Sequence, residues 1–250
     1  MKSIEINENE IATNTIAKVT GFSLLFGITI VMFGQFYVSA KLIVPGNSVE
    51  TAKNIIAYET QFRIWIVCNL LYITNTVVLL SVLYVMLRPM SRSLALIAAF
   101  CRFIYSIMWV VIVLNMLSTF RLLSDTAYLQ VFEVGRLKAF ARLNLRANTD
   151  AYYVGLPFYA FSSTIFSYLW FKSRYIPRAL AVFGMIASAW CVICSFAFIA
   201  LPNFDKTVNL WWFDTPMAVV FDLALGFWLL FKGIKNNERK TLPWRNVGGQ

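Results

Sequence analysis

Apolar residues run through this chain in long continuous stretches, not in alternation. Six stretches are long enough to cross a hydrocarbon layer, which takes about 20 mainly apolar residues in helical form. They are Val19–Ile43, Phe62–Leu87, Ser93–Leu117, Tyr152–Phe171, Ala179–Leu201 and Thr215–Phe231. The second and third exceed the requirement and need tilt, or emerge from the bilayer. A membrane barrel would show short alternating segments, and open strands would leave backbone groups unpaired in lipid. The expected fold is all-α: a polytopic bundle of six transmembrane helices forming a single membrane domain over residues 1–250. A polar N-terminal tail, 1–17, precedes the first span, and a basic C-terminal tail, 236–250, follows the last.

Shorter patterns predict interfacial helices in two external loops. Asn47-Ser48-Val49-Glu50 has the form of a capping box, with a side-chain acceptor at the cap and Glu three residues on. The helix it starts carries Ile55, Ile56 and Glu59 toward Phe62. From Tyr128 to Leu145, apolar residues recur mostly every third position, with Arg136, Lys138, Arg142 and Arg146 between or beside them. That pattern predicts an amphipathic helix, lying among lipid headgroups or packed over the bundle. Trp211, Trp212 and Phe213 before the sixth span, and Tyr168, Trp170 and Phe171 at the end of the fourth, read as interface anchors. No repeat of 20 to 50 residues and no inverted repeat is present.

Composition narrows the class. Hydrophobic residues are 59% of the 250 and charged residues 14%, against about 25% charged in an ordinary soluble domain. Mean hydropathy is +0.66. Soluble, fibrous and disordered classes are excluded. The net charge of +10 would suggest nucleic acid in a soluble protein, but here the basic residues flank apolar spans. Orientation and anionic headgroups explain them, and no nucleic-acid partner is expected. Arg88 and Arg92 bracket one tight connection, and Lys172, Arg174 and Arg178 another. The tail adds Lys232, Lys235, Arg239, Lys240 and Arg245. With six spans these fall on one side, so both termini are expected in the cytoplasm of a cell inner membrane protein. The basic stretch Arg121–Arg146 opposes this, since it would be external. Met1–Glu10 is acidic and polar and does not read as a signal peptide.

The chain has no histidine. That removes histidine-based triads, histidine-ligated haem and the commonest zinc ligand. Cys68, Cys101, Cys191 and Cys194 all lie in apolar runs. Cys191-Val-Ile-Cys194 has the form of a redox or half-zinc motif, but a buried thiol is more often a small hydrophobe. No metal site, disulfide framework or cofactor is expected.

Ionisable groups at membrane depth mark function or structural pairing. Arg102 lies about 13 Å into the third span and Asp222 about 10 Å into the sixth from the opposite side, at 1.5 Å per residue. An Arg102–Asp222 pair follows as an expectation, either fixing helix register or lining a polar cavity. Asn69, Thr74, Asn75 and Thr76 in span two, Asn115 in span three, and Ser162, Ser163, Thr164 and Ser167 in span four read as hydrogen-bonding glue between helices, or as a substrate path. Asn69 and Asn75, six residues apart, do not share a helix face. Gly184 and Ser188 form a small-xxx-small pair. Arg63 and Asp150 sit at span ends, where headgroup contact explains them. Glu133 and Asp150 form a carboxylate pair that reads equally as solvated surface.

Several strings together resemble a known family. They are Phe62-Arg63, Leu87-Arg88-Pro89, the run from Leu94 to Arg102, Tyr152-Tyr153-Val154-Gly155-Leu156, the run from Phe171 to Arg178, and Leu201-Pro202. Their order and spacing resemble the prokaryotic membrane family catalogued as domain of unknown function 4386, over about Ala17 to Lys235. The resemblance implies a six-helix integral membrane protein and supplies no activity, substrate or cofactor. Arg63, Arg102 and Pro177 match positions that look characteristic of it. The resemblance implies histidine in many relatives where Asn148 and Ser162 stand here, so a metal or proton role at those positions would not carry over, whereas Asn and Ser could replace a hydrogen-bonding histidine.

The functional expectation is a non-enzymatic membrane protein that binds a lipid or small amphipathic ligand, or regulates a partner. Its candidate polar residues are Arg102, Asp222, Asn69, Asn75 and Arg63, of which Arg102, Asp222 and the span-two residues are expected to converge at membrane depth. The alternatives are a small-solute transporter or channel, and an intramembrane lipid-modifying enzyme. Membrane lipids are the expected partners, and a homo-oligomer is compatible with the pattern.

Overall fold

A computed structural model describes residues 2–44, 47–124, 134–201, 204, 208 and 210–234, with side chains from residue 14 onward except at 48, 134, 138, 210 and 211. Among these, every regular element is helical. Helix α1 spans Lys2–Met32 and passes through a π-helical turn, Phe33–Val38, into α2, Ser39–Leu42. There follow α3 (Ser48–Ala57), α4 (Glu59–Leu87), α5 (Arg92–Leu123), α6 (Val134–Ser173) and α7 (Arg178–Ala200). After α8 (Leu210–Phe213), a π-helical turn Pro216–Phe221, α9 (Asp222–Phe227) and a second π turn, Trp228–Lys232, complete the described chain.

Four stretches are long and apolar enough to cross a membrane: Asn14–Leu42, Glu59–Leu87, Arg92–Leu123 and Arg178–Ala200, with mean hydropathy from 1.9 to 2.2. They cover the first, second, third and fifth expected spans. The fourth expected span is the second half of α6. The sixth is the π–α–π segment that ends the described chain. The basic tail 236–250, Tyr128–Glu133 and Lys206 lie outside the described residues.

Local signals set several boundaries. Asn47 Oδ1 accepts from the Glu50 backbone N–H at 3.0 Å and starts α3, while the Asn47 N–H donates to the Val44 carbonyl at 3.1 Å, so the cap half of the expected box forms without its reciprocal bond. The expected amphipathic helix and the fourth span are not separate elements. Both belong to the 40-residue α6, because Arg146 to Ala151 contains neither Gly nor Pro to stop it. Pro157 lies inside α6. Beyond its end, Arg174 takes the left-handed conformation, φ 55°. Tyr175 and Ile176, each 1% exposed, lock that turn into the core, and the Ser173 hydroxyl donates to the Trp170 carbonyl at 3.1 Å.

The single domain expected from the sequence is organised as two compact units. The first comprises Met1–Ile28, Asn75–Ile104 and Leu156–Gln250. Its core includes Leu24, Leu83, Leu87, Leu169, Trp170 and Leu225. Trp170 is 1% exposed and packs edge-on against Tyr175, and Phe213 is fully buried. These two are therefore core residues and not the interface anchors expected, whereas Trp212, 77% exposed, is placed as an anchor would be. Helix α7 is arranged for an apolar surrounding. Gly184, Ala187, Ser188, Cys191, Cys194 and Ser195 are buried, while Ile186, Ile193 and Phe196 are exposed. Small and polar residues face the protein and large apolar ones face out, as in helices packed within lipid. Two backbones approach closely at Gly21. A Cβ there would lie 2.7 Å from both the Gly226 carbonyl oxygen and the Leu230 nitrogen.

The second unit comprises Thr29–Thr74 and Tyr105–Gly155. Its buried aromatic centre is Trp109, stacked obliquely on Tyr72 at 4.6 Å and edge-on to Tyr105 and Tyr152. Gly155 packs against Tyr105 and Met108. The Thr119 hydroxyl donates to the Asn115 carbonyl at 2.9 Å and reaches the Ala141 carbonyl at 3.5 Å.

Two outcomes follow. Gly21→Val should lower stability by about 2 kcal/mol or more through backbone overlap, read as a fall in the unfolding midpoint in mixed micelles. An unchanged midpoint would mean that this crossing is looser than described. Arg174→Gly should raise stability by about 1 kcal/mol, read as a higher midpoint, because glycine adopts that φ without strain.

Candidate functional site

The first unit contains a buried polar cluster built from three helical segments. Arg102, in α5, is 5% exposed and Asp222, the first residue of α9, is 7% exposed. Between them stands Tyr159 of α6, 4% exposed. The Arg102 guanidinium lies 4.0 Å from the Tyr159 ring centroid, and the Tyr159 hydroxyl donates to Asp222 Oδ2 at 2.7 Å. Arg102 Nη2 also donates to the Ser163 hydroxyl at 2.9 Å. Tyr159 and Ser163 are four residues apart, one turn along the same face of α6. Ser162 adds a second tie, donating to the Ala98 carbonyl of α5 at 2.8 Å.

The expected partnership of Arg102 and Asp222 is thus relayed through an aromatic residue. Tyr159 presents its ring face to the cation and its hydroxyl to the carboxylate. A desolvated cation–π contact contributes about 2 kcal/mol, and a hydrogen bond to a charged group about 1.5–3 kcal/mol. These offset the cost of taking both charges out of water. Tyr159 was not singled out by the sequence, where it reads as one more aromatic in an apolar run. The available signal was its spacing from Ser163, which puts two polar groups on one face.

The other candidates do not join this cluster. Asn75 belongs to the same unit but ties α4 to α1, its Nδ2 donating to the Ser23 carbonyl at 2.8 Å. Asn69 lies in the second unit, donating to the Trp65 carbonyl at 2.7 Å and to Met116 Sδ at 3.7 Å. Arg63, also in that unit, is more than half exposed. It donates to Glu59 Oε1 at 2.7 Å and lies over the Phe120 ring. The expected convergence therefore reduces to Arg102 and Asp222, because the polar groups of α4 point to different neighbours along the helix. Thr74 and Thr164 likewise bond to carbonyls of their own helices, at 3.0 and 2.9 Å, instead of bridging to others.

The cluster pairs opposite charges, with the Tyr159 hydroxyl donating to Asp222. It contains no nucleophile set against a base and an orienting group. Cys191 and Cys194 are free thiols on the buried face of α7. Among the described residues, no group of three or more Cys, Asp or Glu side chains could hold a metal ion. At the two positions where histidine was anticipated in relatives, Ser162 makes the helix tie described above. The Asn148 side-chain oxygen is buried without a hydrogen-bond partner among the described residues.

Comparison with known proteins places the chain. Residues 19–233 match the family described as a domain of unknown function, DUF4386. No curated protein matches the chain, and no solved structure does.

Tyr159→Phe keeps the ring under Arg102 and removes the donor to Asp222. It should destabilise the protein by about 1.5–3 kcal/mol. Combined with Asp222→Asn, the two changes should cost clearly less than their sum, because they remove the same bond. Strict additivity in denaturant titrations of the four forms would overturn the relay.

Proposed function

The chain belongs to the DUF4386 family, and we propose that it is a non-catalytic, six-span protein of the cell inner membrane that binds a lipid or other small amphipathic molecule. The observation that carries this reading is how the buried charges are used. Arg102 and Asp222 are held through Tyr159, with Ser163 bonded to the guanidinium, so the cluster is organised around mutual pairing and not around a reacting group. Large apolar side chains such as Phe22, Phe100, Ile186 and Phe231 lie outside, where acyl chains are the natural surroundings.

Six spans, with both termini cytoplasmic, accommodate the basic residues. Arg88, Arg92, Lys172, Arg174, Arg178 and Lys232 are all exposed and all belong to the first unit, as expected of a face toward an anionic leaflet. Arg136, Arg142 and Arg146 are exposed along the first half of α6, where they suit outer headgroups.

A transporter is the second reading, and one observation favours it. Asp222 lies between two π-helical turns, and interrupted helices bearing a charge recur at transport sites. Native mass spectrometry of the protein released from inner membranes separates the two. The binding reading expects a defined lipid or amphiphile retained at near-stoichiometric occupancy. Bare protein, together with solute flux in proteoliposomes that Asp222→Asn abolishes, would favour transport instead.

Orientation has its own test. In a variant lacking Cys68, Cys101, Cys191 and Cys194, single cysteines at the exposed positions Thr149 and Lys172 are probed with an impermeant thiol reagent in intact cells. Position 149 should label and position 172 should not. The reverse pattern would invert the topology, and labelling of both would remove one span.

A further inference from the structure

Gln35 stands in the apolar span Asn14–Leu42, seven residues before its end, which is roughly 10 Å along the helix. Lys41, six residues further on, marks where charge begins at that end, its ammonium over the Tyr37 ring at 4.5 Å. Gln35 belongs to the π-helical turn Phe33–Val38. That turn is held against α4 by the buried Gly34, where a Cβ would lie 3.2 Å from Trp65 Cδ1 and 3.5 Å from Cys68 Cβ. With Gly34 turned inward, Gln35 is exposed, beside the exposed rings of Phe33 and Phe36.

An exposed polar side chain at this depth faces hydrocarbon, and other residues of the spans show how such groups are satisfied. Thr74 and Ser81, both exposed on α4, donate to the carbonyls of Leu70 and Val77 at 3.0 and 2.8 Å. Ser39 does the same, donating to the Gln35 carbonyl at 2.6 Å. The Gln35 side chain has no such bond. Its amide meets no partner among the described residues. A primary amide carries two N–H donors and a carbonyl acceptor, and leaving them unmet in an apolar surrounding costs free energy.

We propose that Gln35 is the centre of a homodimer interface, in which two parallel copies of the chain pair their Gln35 amides across a two-fold axis. The amide is complementary to itself. Each side chain donates one N–H to the other's carbonyl, so one residue supplies two hydrogen bonds across an isologous contact. Depth is matched without further provision, because a copy inserted with the same topology places its Gln35 in the same layer. An unrelated helix would have to bring a donor and an acceptor to that layer independently. The turn Phe33–Val38 carries no charge, so an ionic partner would enter unpaired. Between helices in lipid there is no hydrophobic driving force, and polar side chains of this kind supply the attraction. The interface is separate from any bound lipid, and neither reading requires the other.

The test uses the full-length chain in liposomes, with Cys68, Cys101, Cys191 and Cys194 replaced and a single cysteine at the exposed Lys172 carrying a donor or an acceptor dye. Energy transfer should fall as added lipid dilutes the protein, along a curve for a dimer. Gln35→Leu changes only an exposed side chain and should leave helicity unchanged. It should move the midpoint to about tenfold higher protein density, as the loss of an amide pair in a bilayer implies. Oxidative crosslinking gives a second reading that keeps Gln35 in place. Ser39→Cys, one turn from Gln35 on the same face, should form a disulfide between copies, whereas Ile199→Cys, exposed near the end of α7, should not. A midpoint unmoved by Gln35→Leu, crosslinking at 199 as strong as at 39, or no energy transfer at any dilution would each overturn the interface.

Discussion

Hydrocarbon offers no hydrogen bonds, and that single constraint accounts for most of what this chain does. Backbone groups must be paired within the segment, so every regular element among the described residues is a helix. The same demand reaches the side chains. Thr20, Thr74, Ser81, Thr119 and Thr164 each donate to the carbonyl four residues earlier in their own helix. A hydroxyl placed on an apolar span thereby satisfies itself locally and need not serve as an inter-helix tie. Cross-helix bonds come from the guanidinium of Arg102, the amide of Asn75 and the hydroxyl of Ser162.

Charges are the hardest case under this constraint. A direct ion pair requires both groups to meet at one depth, on adjacent faces. Tyr159 relaxes that requirement. Its ring and hydroxyl accept one partner each, so a cation on α5 and a carboxylate at the start of α9 are connected without touching the same atoms. The arrangement is demanding in return. Removing one member of a buried charged set strands the others, which costs about 3–5 kcal/mol. Such a device specifies how three segments are set against one another, whatever else it does.

Legibility followed the range of the interaction. The Asn47 cap was readable because the capping side chain and the amide it serves are three residues apart. The burial of Arg102 and Asp222 was readable because both stand in apolar runs. Tyr159 was not, since nothing in a sequence says which tyrosine in an aromatic-rich span faces inward. Trp170 and Phe213 were misplaced at the interface for the same reason: a ring near a span end looks alike whether it anchors in headgroups or fills the core. The continuity of α6 escaped because its amphipathic and apolar halves differ in composition, and composition changes without a helix-breaking residue do not end a helix. The π turns had still less signature. Gly34 and Pro216 mark them only in hindsight, as residues that permit a close approach or start an irregular turn.

The chain handles polar groups at depth in two ways, and the difference between them is itself informative. Its buried ions are enclosed, because an unpaired charge in a low-dielectric surrounding costs far more than any local rearrangement can recover. Its neutral groups are met nearer at hand: Thr74 and Thr164 donate to carbonyls of their own helices, and the Asn69 amide donates to the Trp65 carbonyl four residues back. An unmet neutral hydrogen bond costs about 1–3 kcal/mol, and a bond within one helix is enough to avoid that cost. A buried charge has no such local remedy, so Arg102 and Asp222 require separate helical segments to meet around Tyr159.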